Sequence, residues 1–235
     1  MSIEENVKAI KENMRQAAIL AGRDPNSVLL CAATKMNDAD AVRRAIKAGV
    51  DCCGENKVQE LTEKLAQNAY EGVPVHFIGH LQTNKVKFVV GKVDLIQSVD
   101  SLRLLEAIQK QAQKIGCIQD ILLEVNIAMQ QSKSGFTLEE LPAVLEKIAV
   151  FSNIRVLGLM AIPPIAENPT GNHKFFQEMC NLSVDITTKK YDNVRVDILS
   201  MGMSDDYSDA IACGSTMVRV GTAIFGRRNY VTTHS

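Results

Sequence analysis

The sequence predicts an α/β protein built as a single (β/α)8 barrel with one extra N-terminal helix, and three observations carry that prediction. The run Val28-Leu29-Leu30-Cys31-Ala32-Ala33-Thr34 has no charge and ends abruptly at Lys35, as a strand buried on both faces of a parallel sheet would. Eight strand-like segments alternate with helical patterns in units of about 25 to 30 residues. The position after the first strand holds Thr34-Lys35-Met36-Asn37, where an open doubly wound sheet would carry a glycine fingerprint for a pyrophosphate. A chain of 235 residues suits one such barrel, and residues 1–230 are assigned to it, with 231–235 as a loose tail.

Taken in order, residues 3–22 place Ile3, Val7, Ile10, Met14, Ala17 and Ala18 on one helical face, and Gly22 stops the helix. After the first strand, Asp38 caps a helix through Ala48. Val50–Cys53 is a short second strand, and Gly54-Glu55-Asn56 opens a helix carrying Val58, Leu61 and Leu65. Val73–Gly79 is the third strand, followed by His80–Lys85 and a helix through about Val90. Val93–Gln97 is the fourth, with Asp100 or Ser101 capping a helix to Lys114. Ile121–Ile127 is the fifth, with a helix over 138–150. Ile154–Ile162 is the sixth, ended by Pro163-Pro164; a loop with Asn168-Pro169-Thr170-Gly171 leads to a helix over 172–190. Val194–Leu199 is the seventh and Thr216–Val220 the eighth, with a short helix around Tyr207–Ala212 between them.

Charge excludes some function classes. Lys plus Arg number 26 against 27 Asp plus Glu, so no global field attracts nucleic acid or an anionic membrane. No apolar run approaches the ~20 residues of a membrane span, and the acidic start Met1-Ser2-Ile3-Glu4-Glu5 is unlike a signal peptide. The six cysteines show neither metal-ligand spacing nor a disulfide framework. They read as small buried groups in a reducing compartment, with Cys52-Cys53 an oxidisable pair near the expected site. A cytoplasmic protein without a metal centre is the expectation.

In a barrel, Lys35, Asn56, Gly79-His80, Gln97, Asn126, Met160, Ser200 and Gly221-Thr222 all reach the face at the strands' C-terminal ends, where barrels build sites. A lysine in an apolar mouth loses part of its preference for the charged form and can form a Schiff base with an aldehyde. The alternative is a lysine that snorkels into water. Asn56 equally suits a helix cap, and His80 a loop histidine. Ser200-Met201-Gly202 and Gly221-Thr222 offer hydroxyls and backbone N–H groups after strands seven and eight, where barrels commonly bind phosphate. Strand alternation turns Arg219 into the barrel, where it needs an acceptor: a ligand, or a carboxylate such as Glu124.

Longer motifs carry a resemblance. His76-Phe77-Ile78-Gly79-His80-Leu81-Gln82-Thr83-Asn84-Lys85, Gly54-Glu55-Asn56, Ser132-Lys133-Ser134-Gly135, Gly158-Leu159-Met160, Leu199-Ser200-Met201-Gly202-Met203-Ser204 and the stretch Gly214 to Gly226 resemble the pyridoxal 5′-phosphate (PLP) homeostasis protein family. That family's fold resembles the N-terminal barrel of alanine racemases. The resemblance implies that Lys35 binds PLP as a Schiff base and that Ser200, Gly221 and Thr222 contact its phosphate. It also implies that Arg219 partners the pyridine nitrogen and that Asn56 and Met203 lie around the cofactor. Cys53, Lys57 and Met36 depart from the family pattern, which favours aromatic residues at the first two positions and Thr at the third.

An arginine beside the ring nitrogen only donates hydrogen bonds, so it keeps that nitrogen unprotonated and weakens the electron sink. Racemases of similar fold carry a second domain with an opposing tyrosine, and no sequence is left here to supply one. The expectation is therefore a PLP carrier acting in intracellular vitamin B6 homeostasis, with no catalytic residue, monomeric, and with PLP-dependent apo-enzymes as recipients. A single-domain amino-acid racemase is the first alternative, and a cofactor-free Schiff-base aldolase using Lys35 the second.

Overall fold

The computed structural model describes residues 1–129, 134–164 and 170–226. The predicted tail, the Asn168-Pro169 turn and the Ser132-Lys133 pair lie outside them. An N-terminal helix α1 (Ile3–Leu20) precedes β1 (Leu29–Ala33), α2 (Ala39–Lys47), β2 (Cys52–Glu55), α3 (Val58–Ala66) and β3 (Val75–Phe77). A 3₁₀ helix (Thr83–Phe88) leads to β4 (Leu95–Val99), α4 (Leu102–Ile115), β5 (Gln119–Val125), α5 (Leu141–Ile148) and β6 (Ile154–Ala161). The chain continues through α6 (His173–Lys189), β7 (Val194–Ser200), α7 (Tyr207–Ala212), β8 (Met217–Val220) and α8 (Thr222–Phe225). All eight strands are parallel and pair in chain order, and β1 closes the barrel on β8. The predicted (β/α)8 barrel with its extra helix is what forms. Among the described residues, no helix is long and apolar enough to cross a membrane.

Local chemistry explains where the elements start. Ser2 and Glu5 form a reciprocal capping box on α1, Asp38 accepts from the Ala41 N–H at 2.8 Å to cap α2, and Ser101 caps α4. Several strands begin or end two residues later or earlier than the apolar runs suggested. Asp51 stays at the bottom rim because its carboxylate accepts from the Leu30 N–H (2.8 Å) and from Lys11 (3.0 Å), so β2 starts at Cys52. Asp94 likewise takes the Val75 N–H at 2.7 Å, which delays β4 to Leu95. β5 stops at Val125 because the Asn126 N–H turns to the Phe136 carbonyl at 3.0 Å. Rim aspartates that satisfy backbone donors read as loop residues in the sequence.

The main core lies between strands and helices, where Leu30, Phe77, Ile96, Leu105, Ile121 and Phe176 are fully buried. Inside the barrel the filling differs from the usual branched apolar layers. Cys31, Cys52 and Met217 form one small cluster, and Leu95, Leu122 and Met160 another. Buried His76, Gln97, Ser200 and Arg219 complete a polar interior.

At Gly158 in β6 the backbone has φ +154°, and a Cβ there would lie 1.8 Å from the Ile198 carbonyl oxygen of β7. The β6–β7 register shifts at this point. Gly158→Ala is therefore expected to cost about 3 kcal/mol or more by combined overlap and backbone strain, read as a lowered urea midpoint. An unchanged midpoint would show that β7 yields freely.

Candidate functional site

Lys35 stands immediately after β1, half-buried, and the backbone on both sides of it is fixed. Before it, the Thr34 carbonyl accepts from Lys64 Nζ at 2.8 Å and the Thr34 hydroxyl donates to Glu55 Oε2 at 3.0 Å. After it, Met36 takes a left-handed conformation (φ +60°) and its N–H donates to Glu60 Oε2. Lys64 joins the two carboxylates, 2.6 Å from Glu55 and 3.4 Å from Glu60, and the Tyr70 hydroxyl donates to Glu55 at 2.9 Å. Glu55 is fully buried and Lys64 nearly so. Burial, then the Glu55 charge, pushes the Tyr70 phenol pKa up, so the hydroxyl keeps its proton and remains a donor. This network braces the turn that carries Lys35.

Opposite Lys35, Gly221 ends β8 and caps α8. The Ser204 hydroxyl accepts from the Ala223 N–H at 3.3 Å, tying the loop after β7 to the start of α8. Met203 in that loop donates its N–H to Asp206 Oδ1 at 2.7 Å. The result is a cavity of about 300 Å³ lined by Lys35, Asn37, Met203, Ser204, Arg219, Gly221 and Thr222, among others.

Arg219 comes up from the barrel floor, 5% exposed. Its Nη1 donates to the Ser200 carbonyl (2.8 Å) and hydroxyl (2.6 Å), and its Nη2 to the Ala161 carbonyl (2.9 Å). These acceptors take the place of the direct Glu124 ion pair that the sequence left open; the Glu124 charge acts on Arg219 electrostatically instead. Burial lowers the guanidinium pKa, while the charges at Cys31, Glu124 and Asp206 raise it. An arginine so placed stays protonated near neutral pH.

Five of the seven sequence-predicted residues, Lys35, Met203, Arg219, Gly221 and Thr222, thus meet around one cavity. Ser200 does not line it. Its hydroxyl is fully buried and donates its single proton to Gln97 Oε1 at 2.7 Å, so it orients Arg219. Gln97 Nε2 in turn reaches His76 Nδ1 at 2.8 Å. Asn56 lines a different cavity, of about 320 Å³, with Gly79, Glu124 and Asn126, and its buried Oδ1 has no hydrogen-bond partner. Gly79 lies so close to Asn56 that a Cβ would sit 2.2 Å from the Asn56 carbonyl oxygen. His80 lines the same cavity from its exposed edge, 3.0 Å from Asp100. Ser204 was missed as a site residue although it closes the Ser200-Met201-Gly202-Met203-Ser204 run, because the serine directly at the strand end looked better placed.

A family model described as alanine racemase, N-terminal domain, matches residues 6–229. A pyridoxal phosphate homeostasis protein of Aquifex aeolicus is 40% identical over 230 residues, spanning 98% of this chain and 100% of the relative. The chain belongs to the pyridoxal phosphate homeostasis protein family. A solved structure of PipY from Synechococcus elongatus with PLP bound is similar to this family member at TM-score 0.78 and 31% identity, covering 91% of this chain and 100% of that one. Alanine racemase from Streptomyces lavendulae matches at TM-score 0.69 and 16% identity, covering 94% of this chain and 58% of that one, which shows a shared barrel. Within the homeostasis protein family, then, the residues around the Lys35 cavity are the natural place to look for function.

Proposed function

We propose that this protein binds PLP covalently through Lys35 and acts in PLP homeostasis as a carrier, without turning substrate over. The observation that carries the proposal is the joint presence of Lys35, Arg219, Gly221 and Thr222 at one cavity, with the lysine on a braced turn. The names of the curated relatives and the PLP-bound relative PipY support it.

The residues present suit the cofactor. A cavity of about 300 Å³ is at the small end of ligand pockets and suits a single pyridine ring with its phosphate. Asn56, which the resemblance sets around the cofactor, lines a separate cavity, so its orphaned Oδ1 is no part of this fit. Lys35 supplies the amine for the cofactor's aldehyde. Ser204 and Thr222 supply hydroxyls and Gly221 a bare backbone for the phosphate, and Met203 a side wall. Ser200 joins from beneath by holding Arg219. When bound, the cofactor supplies an aldehyde and, in enzymes, an electron sink. Arg219, permanently charged and able only to donate, keeps the ring nitrogen unprotonated and so restrains that sink. In this reading the protein is a cytoplasmic monomer that passes PLP to apo-enzymes.

Thr222→Ala removes one charge-assisted hydrogen bond to the phosphate, a loss of about 1.5 to 3 kcal/mol. PLP affinity is therefore expected to fall by about tenfold or more, while affinity for unphosphorylated pyridoxal stays the same in both proteins. Equal PLP affinity in the variant would place the phosphate elsewhere. Racemisation of alanine by the wild type at about 1 per second or faster would replace the carrier with a racemase.

A further inference from the structure

Outside the cofactor cavity, three metal-type donors meet where α6 begins beside α7, with Cys213 buried and His173 exposed. We propose that His173, Asp209 and Cys213 form a binding site for a zinc-class divalent cation. Asp209 and Cys213 stand four residues apart, and the Cys213 N–H bonds to the Asp209 carbonyl at 3.0 Å, so helical geometry puts both side chains on one face. His173, the first residue of α6, brings Nδ1 to 2.7 Å from Asp209 Oδ1 and 3.4 Å from Cys213 Sγ. All three donor atoms lie within 4.8 Å of one another.

The donor set selects the ion. One imidazole nitrogen, one thiolate and one carboxylate suit tetrahedral zinc, whereas magnesium and calcium demand oxygen donors. Asp209 supplies the independent sign of a ligand. Its side chain is 8% exposed, and its buried Oδ2 has no hydrogen-bond partner, an arrangement that costs free energy unless something meets that oxygen. The frame around the donors is braced: Asn172 donates to Asp206 Oδ2 at 2.9 Å and to the Pro164 carbonyl at 3.1 Å, locking the start of α6 onto the start of α7. The His173 side chain is 57% exposed, so the approach is open and a fourth position is left for water.

Without a cation, the Nδ1–H of His173 donates to Asp209, because a carboxylate can only accept. On binding, the cation takes that place. The imidazole proton passes from Nδ1 to Nε2 through solvent, the Cys213 thiol loses its proton to solvent, and three protein bonds to the metal form.

The experiment uses untagged full-length protein, zinc chloride competed against a chromophoric chelator, and cobalt(II) as a spectroscopic substitute. One zinc per chain and a thiolate-to-cobalt charge-transfer band are expected. The near-isosteric Cys213→Ser should abolish the band, and both it and Asp209→Asn should weaken zinc binding at least about tenfold. Circular dichroism confirms that each variant is folded, and magnesium should leave the melting temperature unchanged. The other cluster of donors, Cys31, Cys52 and His76, is buried inside the barrel, so Cys31→Ser should keep full zinc affinity. Absence of stoichiometric zinc, undiminished binding in both Cys213→Ser and Asp209→Asn, or loss in Cys31→Ser would each overturn the site.

Discussion

Replacing Lys35 with alanine is expected to abolish covalent capture of PLP. Wild-type protein mixed with the cofactor should show the visible absorption band of a lysine-bound pyridoxal, and borohydride reduction followed by peptide mass spectrometry should place the label on Lys35. Other lysines nearby are poorer candidates for physical reasons. Lys64 is buried and its ammonium is committed to Glu55, Glu60 and the Thr34 carbonyl. Lys57 is exposed, lies 3.7 Å from Glu60 and does not line the Lys35 cavity. Lys35→Ala should lose both band and label, leaving only reversible binding through the phosphate contacts. A label that persists on another lysine in that variant would refute the assignment.

Glu55→Gln should produce a large stability loss, about 3 to 5 kcal/mol, because it leaves the Lys64 ammonium buried with half its compensation gone. Lys64→Met should cost a similar amount by stranding Glu55. The double variant should cost clearly less than the two singles added together, since no charge is then left unpaired, and urea unfolding of the set gives the coupling directly. The network also holds the peptide on both sides of Lys35. Cofactor capture by the single variants, measured well below their unfolding midpoints, should therefore slow as the turn loosens. A loss within about 1 kcal/mol for Glu55→Gln would mean that water reaches the pair and that the brace is weak.

This network marks the limit of what the chain reveals when read linearly. The barrel was legible because its signals are local: apolar runs, helical periodicity, a missing glycine fingerprint. Lys35, Gly221 and Thr222 were legible because a strand's C-terminal end is a fixed address in such a fold. Glu55 was not, since Gly54-Glu55-Asn56 reads as a turn, and only Lys64, Tyr70 and Thr34, brought in from separate elements, turn a carboxylate into a buried strand residue. The same holds for Ser200. Its position at a strand end suggested a ligand contact, and its orientation toward Gln97 and Arg219 follows from side-chain packing that no spacing records. His173 and Cys213 lie too far apart in sequence to show any metal-ligand pattern, yet α6 and α7 bring them together.

The pairing of β1 with β8 has a consequence for how a new molecule comes into being. On the ribosome β1 emerges early, but one of its two neighbours is the last strand of the barrel to be made. α1 and the turn after it wait too, for Asn6 bonds to the Ile224 carbonyl and Arg23 to the carbonyls of Ile211 and Ser215. A nascent chain therefore carries Lys35 long before Arg219, Gly221 and Thr222 arrive to complete the cavity that they line together. Closure of the ring and completion of the cavity become one event. A ligand that binds only the closed form stabilises that form by mass action.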